Sequence, residues 1–212
     1  MKHLLKMLGL AVVAMAATAC TDRVETQTGY GEILARVDSS PKVSLKDVAS
    51  NDNIYTISGM TLPSSDNFSL EIISAADNSK QEWATITEFG SEKRYFAEGE
   101  YTLKVAHGDA TLEGYDITPY FSGEKRFSVA ARKVTEAVVP AYIGHSLVVV
   151  ECTKNFNDYF TSAEFKVSTL AGSEFDIELP MTKKLFIRPQ QFAIDCKAVK
   201  KTGEEITIPK QI

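Results

Sequence analysis

Apolar and polar residues alternate with a period of two along most of this chain and almost nowhere with a helical period, so the sequence predicts strands joined by turns. Ile33, Ala35 and Val37 alternate with Glu32, Leu34 and Arg36, a first strand with one mostly polar face, broken at Asp38-Ser39-Ser40-Pro41. A weaker strand follows over 54–58, stopped by Gly59 and Pro63. Phe68, Leu70 and Ile72 against Ser69 and Glu71 predict a third, with its turn over 75–78. Residues 83–89 fit either a strand or an irregular crossing. The clearest signal of the first half is Gly99-Glu100-Tyr101-Thr102-Leu103-Lys104-Val105, with Tyr101, Leu103 and Val105 inward and Thr102 and Lys104 outward. His107-Gly108-Asp109 turns the chain, and a loop holding Tyr115, Pro119, Tyr120, Phe121 and Gly123 leads to strands over 127–130 and 134–139. Residues 140–144, opening on Pro140 and closing on Gly144, interrupt the pattern and mark the expected domain boundary.

Beyond that boundary the style repeats with shorter pieces. Residues 147–151 read as a buried strand and 156–160 as an aromatic turn or single helical turn. Phe165 and Val167 alternate with Glu164, Lys166 and Ser168, and Ala171-Gly172-Ser173 turns into Phe175, Ile177 and Leu179. The partners of that last strand, Glu174, Asp176 and Glu178, are all acidic, which gives it one wet face. Runs over 185–188, 193–199 and 205–208 complete the set. Many short strands with Gly and Pro turns predict an all-β chain of two consecutive β-sandwich domains, Ig-like or transthyretin-like, over 29–140 and a smaller 141–212.

The segment ahead of the strands is of another kind. Lys2 and Lys6 make a positive start, 8–17 are unbroken apolar, and Ala16-Ala17-Thr18-Ala19 leads into Cys20. The apolar run is too short for a membrane span and has the order of a secretory leader over 1–19. A cysteine directly after the small residues makes it resemble a bacterial lipoprotein signal, in which Cys20 becomes the lipid-bearing N-terminus. An ordinary signal peptide with a chance cysteine is the plainer alternative. Residues 20–28 are polar and read as a tether between lipid and fold.

Charge and cysteine content narrow the partners. The chain carries 28 acidic against 23 basic residues, a net charge of −5, and losing Lys2 and Lys6 with the leader makes it more acidic. No basic stripe interleaved with aromatics appears, which argues against nucleic acid, and an acidic surface argues against electrostatic membrane docking. The lipid on Cys20 is therefore the expected membrane contact. Of the remaining cysteines, Cys152 shares a strand face with Val148 and Val150, and Cys196 with Ile194 and Ala198. In an oxidising compartment the two could bridge strands inside one core; two separate buried thiols are the alternative.

Enzyme chemistry finds little material. Outside the leader the histidines are His107, in a Gly-Asp turn, and His145, at the expected junction, and both read as structural. No zinc spacing, GxSxG or HExxH occurs, and Asn51-Asp52-Asn53 lacks the glycine and terminal glutamate of a calcium loop. Glu204-Glu205 reads as a solvated turn. The chain is therefore expected to be no enzyme and to need no cofactor or metal. Tyr115, Tyr120 and Phe121 cluster in a Pro/Gly loop, and with Trp83, the single tryptophan, they are the candidates for stacking on a sugar ring; capping the sandwich core is the plainer role.

Three stretches carry a resemblance. "GYGEILARVD", "GEYTLKVAHGD" with "ITPYFSGEKRFSVAARKVTEAVV", and "VVVECTKNFNDYFTSAEFKVST" resemble a family of exported Bacteroidetes lipoproteins with an uncharacterised domain, over nearly all of 29–189. Such proteins are similar to two-sandwich fimbrillin and surface-adhesin lipoproteins. The resemblance implies an outer-membrane lipoprotein at the periplasmic face or cell surface, with an adhesive or fimbria-associated role and no reaction. It also implies that an N-terminal strand can be cut away to open a groove for a partner's strand, and Arg36 is the basic residue placed for that cut. A strand that stays in place, supplying Ile33, Ala35 and Val37 to the core, is the alternative. The expected function is thus a non-enzymatic, lipid-anchored envelope protein, with partners among envelope or fimbrial proteins by strand addition. The rival is a glycan-binding lipoprotein of a polysaccharide-uptake system.

Overall fold

A computed structural model of the chain describes residues 29–44 and 54–211. The first strands are β1 (Tyr30–Ser39), β2 (Lys42–Ser44), β3 (Ile54–Thr56), β4 (Ser69–Ser74), β5 (Lys80–Trp83), β6 (Tyr95–Ala97), β7 (Gly99–His107), β8 (Gly114–Tyr115), β9 (Phe121–Val129) and β10 (Val134–Ile143). The later ones are β11 (Ser146–Val148), β12 (Phe160–Thr169), β13 (Glu174–Ile177), β14 (Leu185–Ile187), β15 (Phe192–Lys200) and β16 (Glu205–Gln211). Two short helices, α1 (Ile86–Gly90) and α2 (Lys154–Tyr159), join them. The fold is an all-β sandwich architecture, as the period-two pattern predicts.

Seven strands form one sheet in the order β5-β4-β7-β9-β10-β1-β6. Its neighbours are antiparallel except β1 and β10, which run parallel from Glu32↔Val134 to Ser39↔Ala141. The sheet folds over itself, because Ile33 and Ala35 of β1 and Ala137, Val139 and Ala141 of β10 share one buried cluster with Leu70, Leu103, Phe121 and Val129. Two backbones approach closely where β9 and β10 meet: a Cβ on Gly123 would fall 2.2 Å from the Pro140 carbonyl oxygen. β10 does not end at Val139 as the pattern suggests. It runs through Pro140 and only then takes β9 as partner, at Tyr142↔Ser122 and Ile143↔Phe121. A residue without an N–H is tolerated at that change of partner.

Residues 83–89 resolve into the end of β5 and the start of α1. Thr85 caps the helix, its hydroxyl accepting from the Glu88 N–H at 3.0 Å, while the Glu88 carboxylate reaches back to the Ala84 N–H at 2.8 Å. Ile86 and Phe89, three apart, turn one helical face into the core, and Trp83 meets Phe89 edge-on at 4.8 Å.

The second group pairs a four-stranded sheet, β13-β12-β15-β16, with a three-stranded one, β11-β14-β8. β14 is buried on both faces, which fits its uninterrupted Leu-Phe-Ile sequence. Phe186 belongs to the first core, whereas Leu185 and Ile187 lie in the second with Val148, Val167 and Ile177. β8, from the loop between β7 and β9, pairs with β14 at Leu185↔Tyr115 and Phe186↔Gly114. That loop thereby fastens the first sheet to the second group.

Candidate interaction surface

Alternation puts every second residue of β1 and β10 on the solvent side of the β6–β1–β10 half-sheet. Tyr30 and Leu34 of β1, Val134, Val138 and Tyr142 of β10, and Tyr95 of β6 are all exposed there, Tyr95 at 64% and Val134 at 62%. The register gathers them: Glu32 stands between Tyr95 and Val134, Leu34 beside Glu136, and Arg36 beside Val138. An ion pair crosses the face, Arg36 Nε to Glu136 Oε1 at 3.1 Å, with both side chains more than half exposed. Large apolar side chains, aromatics among them, gathered on one exposed sheet face have the makeup of a protein-binding face more than of a solvated one. Strand parity alone marks Leu34 as outward; Tyr95 joins the face through the antiparallel β1–β6 pairing, and Val134 and Val138 through the parallel β1–β10 pairing.

A second polar constellation holds the loop that bears β8. Glu113, 2% exposed at its side chain, accepts from the Arg188 N–H at 3.0 Å and from the Thr169 hydroxyl at 2.9 Å. Burial pushes its carboxyl up, but those bonds, one from Ser173 and the Arg188 charge together hold it below the usual glutamate value. Asp116 Oδ1 accepts from the Lys184 N–H at 2.9 Å, and the Lys184 carbonyl accepts from the Asp116 N–H at 2.8 Å. His145, 2% exposed, accepts from the Tyr120 N–H at its Nδ1, 2.8 Å away. Burial pushes its pKa down, against the Leu112 and Ala110 backbone and the Glu113 and Asp109 charges. This arrangement is a fastening.

The residues singled out from the sequence fall in several places. Cys20 and Asn51-Asp52-Asn53 lie outside the described residues. Arg36 is exposed on β1, whose backbone is in the ladder with β10 at that point, so a cut there requires the strand to leave the sheet. Cys152 is a half-buried and Cys196 a buried free thiol. The four aromatics are not brought into one platform. Phe121 is 0% exposed in the first core, edge-on to Phe68 at 6.3 Å. Trp83 lies half-buried against Phe89 beneath Arg94, whose guanidinium is 5.4 Å from the indole centroid. Tyr115 packs on the second core and donates its hydroxyl to the Asp176 carbonyl at 2.5 Å. Tyr120 stands edge-on to His145 at 6.4 Å, and both it and Trp83 border an open cleft of about 540 Å³ on the β4–β7–β9 solvent face. Glu71, Glu82, Lys104 and Glu124 line the same cleft.

His107 contacts the Asn67 carbonyl oxygen at 3.2 Å through Nδ1 and tilts on Phe68, a strand-end tie. Glu204 pairs with Lys200 at 2.8 Å in the last turn. Among the described residues no group of three or more His, Cys, Asp or Glu side chains could hold a metal ion, and no helix is long and apolar enough to cross a membrane.

Residues 29–212 match the family model described as a domain of unknown function (DUF4493). No curated protein matches the chain. Among solved structures it is similar to that of a "putative adhesin from Bacteroides ovatus ATCC 8483", with 7% identity over 85% of this chain and 82% of that one. The TM-score is 0.31, too low to bear on function.

Proposed function

The chain belongs to the DUF4493 family of proteins carrying a domain of unknown function, and we propose that it is a non-enzymatic, lipid-anchored cell-envelope protein that acts through its surface, as an adhesive or fimbria-associated structural component. The observation that carries this reading is the exposed row of Tyr30, Leu34, Tyr95, Val134, Val138 and Tyr142 on one half-sheet. Apolar and aromatic side chains held on rigid strands lose little entropy on binding, which suits a permanent contact with another envelope or fimbrial protein. The reading is tested by Leu34→Lys with Val138→Lys in the native host. The double variant folds, because both positions face solvent, but it leaves the high-molecular-weight envelope complexes resolved on native gels. Unchanged complexes with a folded variant would reject the surface.

Anchoring is tested separately, by the intact mass and N-terminal sequence of protein recovered from the native membrane. An acylated Cys20 supports the anchored form. A chain that begins after Arg36 without lipid makes a strand-exchanging subunit the better description, since β1 then vacates the place beside β10 where Ile33 and Ala35 sit.

A glycan-binding role is the second reading, favoured by the cleft that Tyr120 and Trp83 border together with three carboxylates and Lys104. It loses weight because Phe121 and Tyr115 are engaged elsewhere. Binding on a glycan array that Tyr120→Ala abolishes would restore it.

A further inference from the structure

We propose that Cys152 and Cys196 form a redox pair, which on oxidation closes a disulfide tying the segment between β11 and α2 to β15. Both are thiols in the structure. Val148 is buried in the second core and Val150 packs against it, its N–H pointing at Met181 Sδ 3.1 Å away, whereas Val149 and Glu151 face solvent. Cys152 continues that inward parity. On the opposing sheet Cys196 is the register partner of Phe165 and stands two residues from Ile194, so it shares the inner face with Phe165, Val167 and Ile194. The next link closes the arrangement. Thr153 caps α2, and Phe156 of α2 packs 6.1 Å from Phe165, the residue directly beside Cys196. The chain leaving Cys152 therefore comes down on the strand pair that carries Cys196. In keeping with this, burial pushes the Cys196 thiol up and the charge of Cys152 pushes it further.

Access decides the order of steps. Cys152 borders an open cleft of about 590 Å³ with Val149, Leu179, Pro180 and Met181, while Cys196 is 5% exposed. A small disulfide such as oxidised glutathione reaches Cys152 first. The Cys152 thiolate attacks one glutathione sulfur and releases the other as a thiolate. The Cys196 thiolate then attacks Cys152 Sγ and releases the second glutathione. Two protein thiols are oxidised, one glutathione disulfide is reduced to two thiols, and the two thiol protons pass to the released glutathione.

The pairing is inferred from the shared inner faces and the α2 contact; its oxidation in the cell rests on the export reading above. The test takes the purified full chain, reduced, and treats it with oxidised glutathione. The expected product yields one cross-linked peptide joining Cys152 to Cys196, two hydrogens lighter than the two reduced peptides together, and melts about 5 °C or more higher than the reduced chain. Peptide mapping keeps Cys20 apart. In Cys196→Ser the glutathione adduct should remain on Cys152, and in Cys152→Ser neither of the two positions should react. A wild-type chain that stops at the Cys152 adduct, or that dimerises through Cys152, would overturn the pairing. Cross-linking in the tube with free thiols in acid-quenched native material would leave the pair standing and overturn the export reading instead.

Discussion

Replacing Glu113 tests the fastening between the loop bearing β8 and the second group of strands. In Glu113→Ala, the Arg188 N–H and the Thr169 hydroxyl lose their acceptor, and Thr169 is itself buried. Leaving such a donor unpaired costs about 1–3 kcal/mol each, and the half-exposed Arg188 guanidinium, 3.9 Å away, adds little after solvent screening. The expected loss is about 3 kcal/mol for Glu113→Ala and about half that for Glu113→Gln, which keeps an acceptor. At a urea m-value of about 2 kcal/mol/M, the alanine variant unfolds more than about 1 M earlier. The assay is urea unfolding followed by far-UV circular dichroism for the whole fold and by Trp83 fluorescence for the first sheet. The pH dependence supplies a sign. The folded carboxyl lies below its ordinary value near 4.5, so its contribution is present above that value and is lost as pH falls through the folded one. The gap between wild type and Glu113→Gln should therefore close in acid. A midpoint shift under about 0.2 M at neutral pH, or a gap that widens in acid, would show that Glu113 is no fastening.

Three further outcomes follow from the same geometry. Gly123→Ala forces a methyl against the Pro140 carbonyl and should cost about 1–3 kcal/mol by thermal unfolding, while Gly172→Ala, strained at φ 89° but with open space around its Cβ, should cost about 1 kcal/mol. His145 is held neutral by burial, so its folded pKa lies below the ordinary 6.5; stability is complete above 6.5 and declines as pH falls below it, and His145→Gln should flatten that decline in a pH series of melting temperatures. Arg36→Ala removes only an exposed ion pair and should change stability by less than about 0.5 kcal/mol, and trypsin should spare Arg36 in the folded protein because β1 is in the ladder there.

How much of this was legible depends on whether the signal is local. The inward residues of β4, β7, β12 and β13, such as Leu70, Leu103, Val167 and Ile177, follow from period-two alternation and are buried as it predicts. Cys152 keeps the inward side of Val148 and Val150, although β11 ends at Val148 instead of running to 151 and Cys152 is only half-buried. What alternation does not contain is the choice of partner. Nothing near Ile33 says that β1 will lie parallel to a strand a hundred residues later, and without that pairing Val134 and Val138 have no place beside the outward residues of β1. Gly114 and Tyr115 look like loop residues because their ladder is only two residues long and their partner is β14. Glu113 is the sharpest case. An acidic residue in a polar stretch reads as solvated, and only the Arg188 N–H and Thr169 hydroxyl brought from elsewhere make its burial stable. Phe121 looks like a loop aromatic because Pro119 and Gly123 flank it, yet it opens β9 and points into the first core.

An adhesive or fimbria-associated role requires the β6–β1–β10 face to meet an envelope protein. The direct measurement is site-specific photo-cross-linking in the native host, with a benzophenone side chain at Leu34 or Val138, and at Lys125 and Lys197 as exposed controls on other strands. A face that docks a partner gives one discrete adduct from Leu34 and Val138, identified by mass spectrometry as a cell-envelope or fimbrial protein, and none from the controls. Equal yields at all four positions, or no adduct from Leu34 and Val138 in protein that is folded and present in the envelope, would contradict it.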